Sequence, residues 1–435
     1  MTIRSSSDHA DSTVTSDRTV TSDHTVTSDR PGQAPAFPMV RTCPYAPPPE
    51  YAELRARGPL VRVRAPNGTV VWVVTRWAEA RQVLTDRRVS TDSSRPDFPV
   101  LDEREVTEEQ SAARDKLRAG FFIDQDPPEH DVLRRMLIPE FSVRRINQLR
   151  PRIQRITDER IDAMLAAGPP VDLVAEFGLP VPSMVICELL GVPYADRELF
   201  QSRTRRMVAA STDPRDGMQA VMEIRDYLDD LVRRAAAAPE DNLIGRLVRG
   251  PVAKGDLTLD ALVGMAFLLL VAGHETTASM IPLGVFTLLR EPGQLAEVRA
   301  DPDLWPRAVE ELLRYQSVVD WVAFDRMAVE DLEIGGVRVS AGDGIFVLGA
   351  SAGRDDRVFG DPDRLDVRRD ARHHLAFGYG VHQCLGQNLA RAELEIAYRT
   401  LFDRIPGLRT DLPDEELAFR YDAGIFGMHS FPVTW

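Results

Sequence analysis

Cysteine is scarce in this chain: Cys43, Cys187 and Cys384 are the three among 435 residues. So few thiols exclude a disulfide framework and make a reducing cytoplasm the expected compartment. A bilayer-spanning run is also missing. The longest apolar stretch, 261–273, is too short to cross the hydrocarbon core and ends against His274 and Glu275. The N-terminal residues hold no apolar segment of signal or anchor type, so a soluble chain with no membrane partner is expected. Positive charge is in deficit, with 53 Lys and Arg against 67 Asp and Glu and a net charge of −14. That balance argues against nucleic acid or an anionic membrane as the main partner. Two further chemistries lack a required residue. His274-Glu275 opens the H-E-x-x-H pattern of a zinc helix, but Ala278 stands where the second histidine is needed. Gly378-Tyr379-Gly380 has neither the preceding strand nor the third glycine of a dinucleotide fingerprint.

What is present is enough apolar material, 43% of residues, for a large core. The start of the chain does not share in it. Residues 13–30 read TVTSDR, TVTSDH, TVTSDR, and three short polar units have nothing to bury. Residues 1–35 are therefore predicted to be a disordered tail and 36–435 a single domain. Its pattern is mainly α with smaller β-sheet regions, an α+β class. LVRVR, Pro66-Asn67-Gly68 and VVWVVT form a predicted hairpin, followed by a helix over 78–84. Residues 86–118 read as a long polar loop. Asp126-Pro127-Pro128 opens another helix, on which His130 and Arg134 lie four apart and share a face. From 145 to 250 the pattern is helical, and EIGGVRV…GIFVLGA reads as a strand pair about Gly335-Gly336.

A helix of some 32 residues is predicted from Thr258 to Arg290, about 48 Å long at 1.5 Å per residue. Its first half is apolar all round, hence buried on every side. In its middle stand Ala272, Gly273, Glu275 and Thr276, and a carboxylate and hydroxyl there are costly unless used. Thr276 is spaced to bond the carbonyl of Ala272 and loosen the helix, and Pro282 is expected to kink it. Further on, Glu311 and Arg314 share one helical face.

The densest pattern is HHLAFGYGVHQCLGQNLARAELEIA, 373–397. Leu385, Leu389, Ala392 and Ile396 line one face of a helix. Cys384 precedes it, where the positive end of the helix favours thiolate over thiol. Gly378 and Gly380 permit backbone angles closed to other residues, and Gly386 lets a flat ligand approach. A thiolate held this way suits an axial ligand to haem iron.

Phe377-x-x-Gly380-x-x-x-Cys384-x-Gly386 resembles the haem-binding signature of the cytochromes P-450. With His382, Leu385, Leu389 and Arg391 included, it is similar to the soluble bacterial, actinobacterial type. The resemblance implies the cytochrome P-450 fold, with haem b between a long central helix and the cysteine-bearing loop and helix. No C-x-x-C-H run occurs, so such haem is held non-covalently. Cys384 is then the metal ligand. His130, Arg134, Arg326 and His382 resemble the family's propionate contacts, whereas His373 and His374 are given no ligand role. Phe377, Gly378, Gly386, Ala272 and Gly273 border the haem. Glu275 and Thr276 resemble the oxygen-activation motif, whose role is to deliver protons to the distal oxygen. Glu311, Arg314 and Arg369 match the pair and third member that lock the core behind the haem. Leu365 stands where the family often has Phe, and Gly353 where an Asn is usual.

The implied reaction is monooxygenation: RH, O2 and two electrons give ROH and water. Leu268, Val271, Val318, Val319 and Ile425 are candidate wall positions for a bulky apolar substrate such as a polyketide, macrolide or terpenoid. Electrons must come from outside, from NAD(P)H through a ferredoxin reductase and a ferredoxin, with Arg135, Arg144 and Arg145 as candidate docking charges on a monomer. Two other classes stay open on the sequence. One is a haem sensor without turnover; the other is a zinc protein using His373, His374, His382 and Cys384.

Overall fold

β-branched residues alternate with Arg and Trp on either side of Asn67-Gly68, and a hairpin forms there. In the computed structural model β1 (Leu60–Arg64) and β2 (Val70–Val74) pair antiparallel, from Leu60↔Val74 to Arg64↔Val70. The turn closes on Gly68, whose φ of 86° is open to glycine at no steric cost. Residues 34–99, 101, 119–196, 200, 202, 203, 206, 214–421 and 423–435 are described. The hexad repeat and most of the 86–118 loop lie outside them. Pro35–Trp435 forms one compact unit.

Helix α1 (Glu50–Arg57) precedes the hairpin, and α2 (Trp77–Thr85) and β3 (Val89–Ser90) follow it. The helical bulk consists of α3 (Glu129–Leu137), α4 (Val143–Ala167), α5 (Pro180–Leu190), α6 (Pro214–Ala237), α7 (Leu259–Arg290) and α8 (Trp305–Gln316). Then come β4 (Asp325–Ala328), β5 (Leu332–Ile334), β6 (Val337–Val339), β7 (Gly344–Val347) and finally α9 (Gln387–Arg404). One five-stranded sheet has the order β1-β2-β7-β4-β3, and β5 and β6 form a separate hairpin over Gly335-Gly336. This corrects the expected strand pair. GIFV does not return on the hairpin but runs parallel to β2, with Trp72 opposite Ile345. All four of its residues are buried, and a strand so apolar needs cover on both faces.

α7 is the axis of the helical part. The Thr258 hydroxyl caps it by accepting from the Ala261 N–H at 3.1 Å. Residues 261–270 are all buried. By length and composition the helix could cross a membrane, but 72% of its most apolar window is buried inside the fold, as expected of a core helix. It continues across Pro282 to Arg290. Two residues before the proline it meets α9, where the Tyr398 hydroxyl donates to the Met280 carbonyl at 2.6 Å.

Behind these helices Glu311 and Arg314 form a bidentate pair at 2.7 Å, both side chains fully buried. Arg369 Nε adds a third charge, donating to Glu311 Oε1 at 3.1 Å. Arg314 also donates to the carbonyls of Gly353 and Pro362, each at 2.8 Å. The unusual residues fit here: Gly353 supplies one of those carbonyls, and Leu365 is buried in the main core. Every charge in the cluster has a partner, as a buried ion pair requires.

Candidate functional site

The loop before α9 is shaped by backbone that only glycine tolerates well. Gly378 and Gly380 have φ of 66° and 77°, and a Cβ on Gly380 would lie 2.3 Å from the Leu84 carbonyl oxygen. Arg391 braces the loop from α9, its guanidinium 4.5 Å from the Phe377 ring centroid while it also pairs with Glu310. His374 fills the remaining space. Its Nδ1 accepts from the Ala376 N–H at 3.0 Å, so the proton sits on Nε2, which donates to Glu310 at 3.1 Å. Burial keeps this imidazole neutral by lowering its pKa. His374 therefore supports the loop; His373 stacks on Phe359 with ring centroids 4.6 Å apart.

Cys384 lies at the end of that loop, its N–H donating to the Phe377 carbonyl at 2.8 Å. α9 begins three residues later, at Gln387. The N–H groups of Gly386 and Gln387 reach the sulfur, and Arg134 and Arg391 add positive potential. Burial pushes the thiol up, and the N–H groups at the helix end act in the opposite sense, toward thiolate, without outweighing it in the protein alone.

Above the sulfur a cavity of about 240 Å³ separates α9 from α7. Leu268, Ala272, Gly273 and Thr276 of α7 face it. The Thr276 hydroxyl donates to the Ala272 carbonyl at 2.9 Å, as its spacing predicts. Val318 and Val319 form part of another wall, and Phe377, Gly378, Cys384 and Gly386 the floor. Val271 and Ile425 do not line the cavity. At about 100° per residue, Val271 projects about 150° from the middle of the arc that the α7 lining residues occupy. Ile425 is joined to the wall through its backbone, in an antiparallel bridge with Val319.

Glu275 also falls outside the lining, at the edge of that arc. Its carboxylate pairs with Arg420 Nη1 at 3.4 Å, and Arg420 Nη2 donates to the Ser279 hydroxyl at 2.6 Å. Burial raises the Glu275 pKa, and Arg420 opposes the shift. Arg420 carries no sequence signal. It is one of two arginines after α9, with Arg409, and is brought to α7 by tertiary packing alone. Glu393 of α9 was likewise unmarked: it lines the cavity, and burial pushes its carboxyl well above the usual range.

Four basic side chains meet at the cavity edge: His130, Arg134, Arg326 and His382. His130 is fully buried; its Nδ1 lies 2.9 Å from Asp131 and its Nε2 has no partner among the described residues. The His130 and His382 rings are 4.1 Å apart. Burial, with help from His130, Arg326 and Arg134, lowers His382 to about 3. Arg134 donates to the Gln383 carbonyl, which ties α3 to the cysteine loop. Two guanidiniums beside neutral imidazoles, one with a spare ring nitrogen, suit a ligand bearing carboxylates at its edge. A flat macrocycle fits the rest: sulfur on one face, and Ala272 and Gly273 on the other. Among the described residues no three His, Cys, Asp or Glu side chains cluster to hold a metal ion, which leaves the zinc reading without a site.

A sequence model of the family described as Cytochrome P450 matches residues 199–405. Cytochrome P450 105A3 of Streptomyces carbophilus is 50% identical over 93% of this chain and 96% of its own length. The vitamin D3 dihydroxylase of Streptomyces griseolus is 49% identical over 92% of this chain and 97% of its own. Among solved structures, mycinamicin VIII C21 methyl hydroxylase of Micromonospora griseorubida, bound to mycinamicin VIII, is 43% identical. It superposes with a TM-score of 0.84, covering 92% of this chain and all of its own.

Proposed function

The chain belongs to the cytochrome P450 family and is a P450 monooxygenase; from that premise we propose that it hydroxylates a bulky apolar secondary metabolite with electrons from a ferredoxin. One observation carries the reading. The Cys384 sulfur, with two N–H donors near it, faces the Ala272–Thr276 stretch of α7 across an apolar cavity edged by four basic side chains.

Haem, held through Cys384 as its thiolate ligand, would when bound supply the dioxygen chemistry that places one oxygen atom in a C–H bond. The remaining work falls to this chain's side chains. His130, Arg134, Arg326 and His382 would hold the propionates and so fix the macrocycle in its plane. Leu268, Val318 and Val319 would position the substrate by shape, with Phe122, Ile186 and Phe324 completing an apolar lining that excludes water. Thr276, which borders the cavity, would relay through its hydroxyl a proton entering past α7. Glu275, one residue before it, would pass protons inward when its carboxylate turns from Arg420. The relatives named for vitamin D3 and for mycinamicin VIII support a large ligand.

An electron donor would dock on the face outside Cys384. Val132, Val143 and Val381 are exposed, as are Arg135 and Arg144, and Arg134 ties α3 to the cysteine loop that carries Val381. Arg145 is a weaker candidate, because it is half-buried and donates to Gln148 at 3.1 Å. Charge reversal at Arg135 and Arg144 should weaken the dependence of turnover on an acidic ferredoxin; unchanged dependence would remove this face from the proposal.

The decisive test is Cys384→Ser. The parent protein, loaded with haem, should be red and give a thiolate-type carbon monoxide band on reduction. If the serine variant kept both, the assignment would fail.

A further inference from the structure

Val318 borders two cavities. On one side is the large cavity; on the other is a second, polar one of about 40 Å³ bounded also by Arg41, Asp320 and Phe426. The wall that a substrate would meet is thus backed partly by a charged network instead of packed apolar side chains. That network comes from the N-terminal part of the chain.

Arg41 is its centre and is buried to 7% exposure. Its Nη2 donates to the carbonyls of Gln316 at 2.7 Å and Ser317 at 3.2 Å, the two residues immediately before Val318. Its guanidinium lies 4.4 Å from the Phe426 ring centroid. The Phe426 N–H in turn donates to the Val318 carbonyl at 3.0 Å. Arg41 Nη1 has no protein partner among the described residues, and Arg41 is one of the residues that border the small cavity. A cavity of that size and polarity has room for ordered water joining Nη1 to the Asp320 carboxylate.

The backbone that Arg41 holds is not relaxed. Ser317 has φ 41°, a left-handed conformation that a residue with a side chain adopts only when its surroundings impose it. Beyond the valines the hold continues. Asp320 accepts from the Ala350 N–H at 2.9 Å and from the Tyr51 hydroxyl, and Trp321 packs edge-on against Phe37 at 5.3 Å. Val318 and Val319 are therefore suspended between two anchors, and Phe37, Arg41 and Tyr51 supply much of both.

We propose that Arg41, which does not touch the large cavity, is a specificity-determining positioning residue: it sets how far Val318 and Val319 project toward the substrate. The proposal rests on the reading of the large cavity as the substrate site. Its loss should alter discrimination between ligands by size, without altering the thiolate centre.

The test uses the haem-loaded protein and two probes, imidazole, which is too small to reach the valine wall, and clotrimazole, which is bulky. Affinities come from the ferric absorbance shift, in the parent, Arg41→Gln, Arg41→Lys, Val318→Ala and the Arg41→Gln/Val318→Ala double variant. Arg41→Gln should leave imidazole affinity within about twofold while changing that of clotrimazole by about fivefold or more, and Arg41→Lys should restore part of it. In the double variant the Arg41 effect should shrink, because the group it positions is gone. Amide hydrogen exchange should quicken at 317–321 in Arg41→Gln. An unchanged clotrimazole-to-imidazole ratio in Arg41→Gln, with Val318→Ala shifting it, would overturn the proposal; if Arg41→Gln does not fold, Arg41→Lys decides by the same ratio. If Val318→Ala also left the ratio unchanged, the wall would not be a ligand surface. The cavity reading would then fall together with the proposal, and the parent's carbon monoxide band would still report on the thiolate separately.

Discussion

Glu275 and Arg420 are 145 positions apart in sequence and 3.4 Å apart at their charged ends. The pair turns the acid of α7 toward the C-terminal stretch and away from the cavity. Its carboxyl is raised by burial and partly restored by Arg420. Removing the arginine leaves burial unopposed, so Arg420→Ala should shift the acidic limb of the pH–rate profile to higher pH. Gly427→Ala should act in the same direction. A Cβ there would lie 2.3 Å from Arg420 Nη2 and displace the guanidinium. A profile that stayed in place in both variants would separate Glu275 from the rate.

If Thr276 and Glu275 deliver protons as proposed, their loss should reduce product more than binding. Glu275→Gln and Thr276→Val should each lower turnover by about 10²-fold, the low end for a positioned proton donor. Equilibrium binding of an apolar probe, read by absorbance, should change little. A matching loss of affinity would assign these side chains to binding.

Leu268 and Val271 offer a paired test of which face of α7 meets the substrate. Leu268→Phe should reduce the affinity of bulky ligands by about tenfold or more, because the cavity loses volume. Val271→Phe should affect packing and melting temperature but not the order of ligand affinities. Equal effects on that order would contradict the helix rotation described above.

Glu311→Gln leaves Arg314 charged and buried, with one acceptor in place of the two carboxylate oxygens and without the counter-charge it pairs with. The expected cost is about 3–5 kcal/mol, measured by denaturant or thermal unfolding. An effect below about 1 kcal/mol would place the pair among surface-like bridges despite its burial.

Acid should unfold the cysteine loop through Glu310. Burial pushes its carboxyl up, but the bonds from His374 and Arg391 outweigh that and bring it down to about 2. A depressed carboxylate stabilises the fold above its ordinary value of 4.5 and loses that contribution as pH falls toward 2. The contribution is on the order of 3 kcal/mol. Glu310→Gln should flatten the stability curve between those limits while lowering stability at neutral pH. An unchanged acid limb would refute this.

How much was legible in the sequence follows from the range of the interactions. The cysteine loop, the central helix and the Glu311–Arg314 pair are written in short spacings, since glycines, caps and helical neighbours act within a few residues. The basic residues at the cavity edge were reached only by likeness to a family. Arg420 and Arg41 were not legible at all. Their partners lie more than a hundred positions away, and contact between distant segments leaves no period in the chain. Val271 and Ile425 were misplaced for a related reason. An all-round apolar helix does not reveal which side faces a cavity, and a residue beside a wall reads like one in it.

The pairing of Trp72 with Ile345 has a consequence for biogenesis. During synthesis the first hairpin leaves the ribosome long before the strand that will lie against it has been translated. Until then β2 offers bare amide and carbonyl groups along an apolar ribbon, which is a template for adhesion between nascent chains. Expression yield should therefore depend on how quickly the C-terminal third arrives, and a chain ending before residue 344 should accumulate as insoluble material.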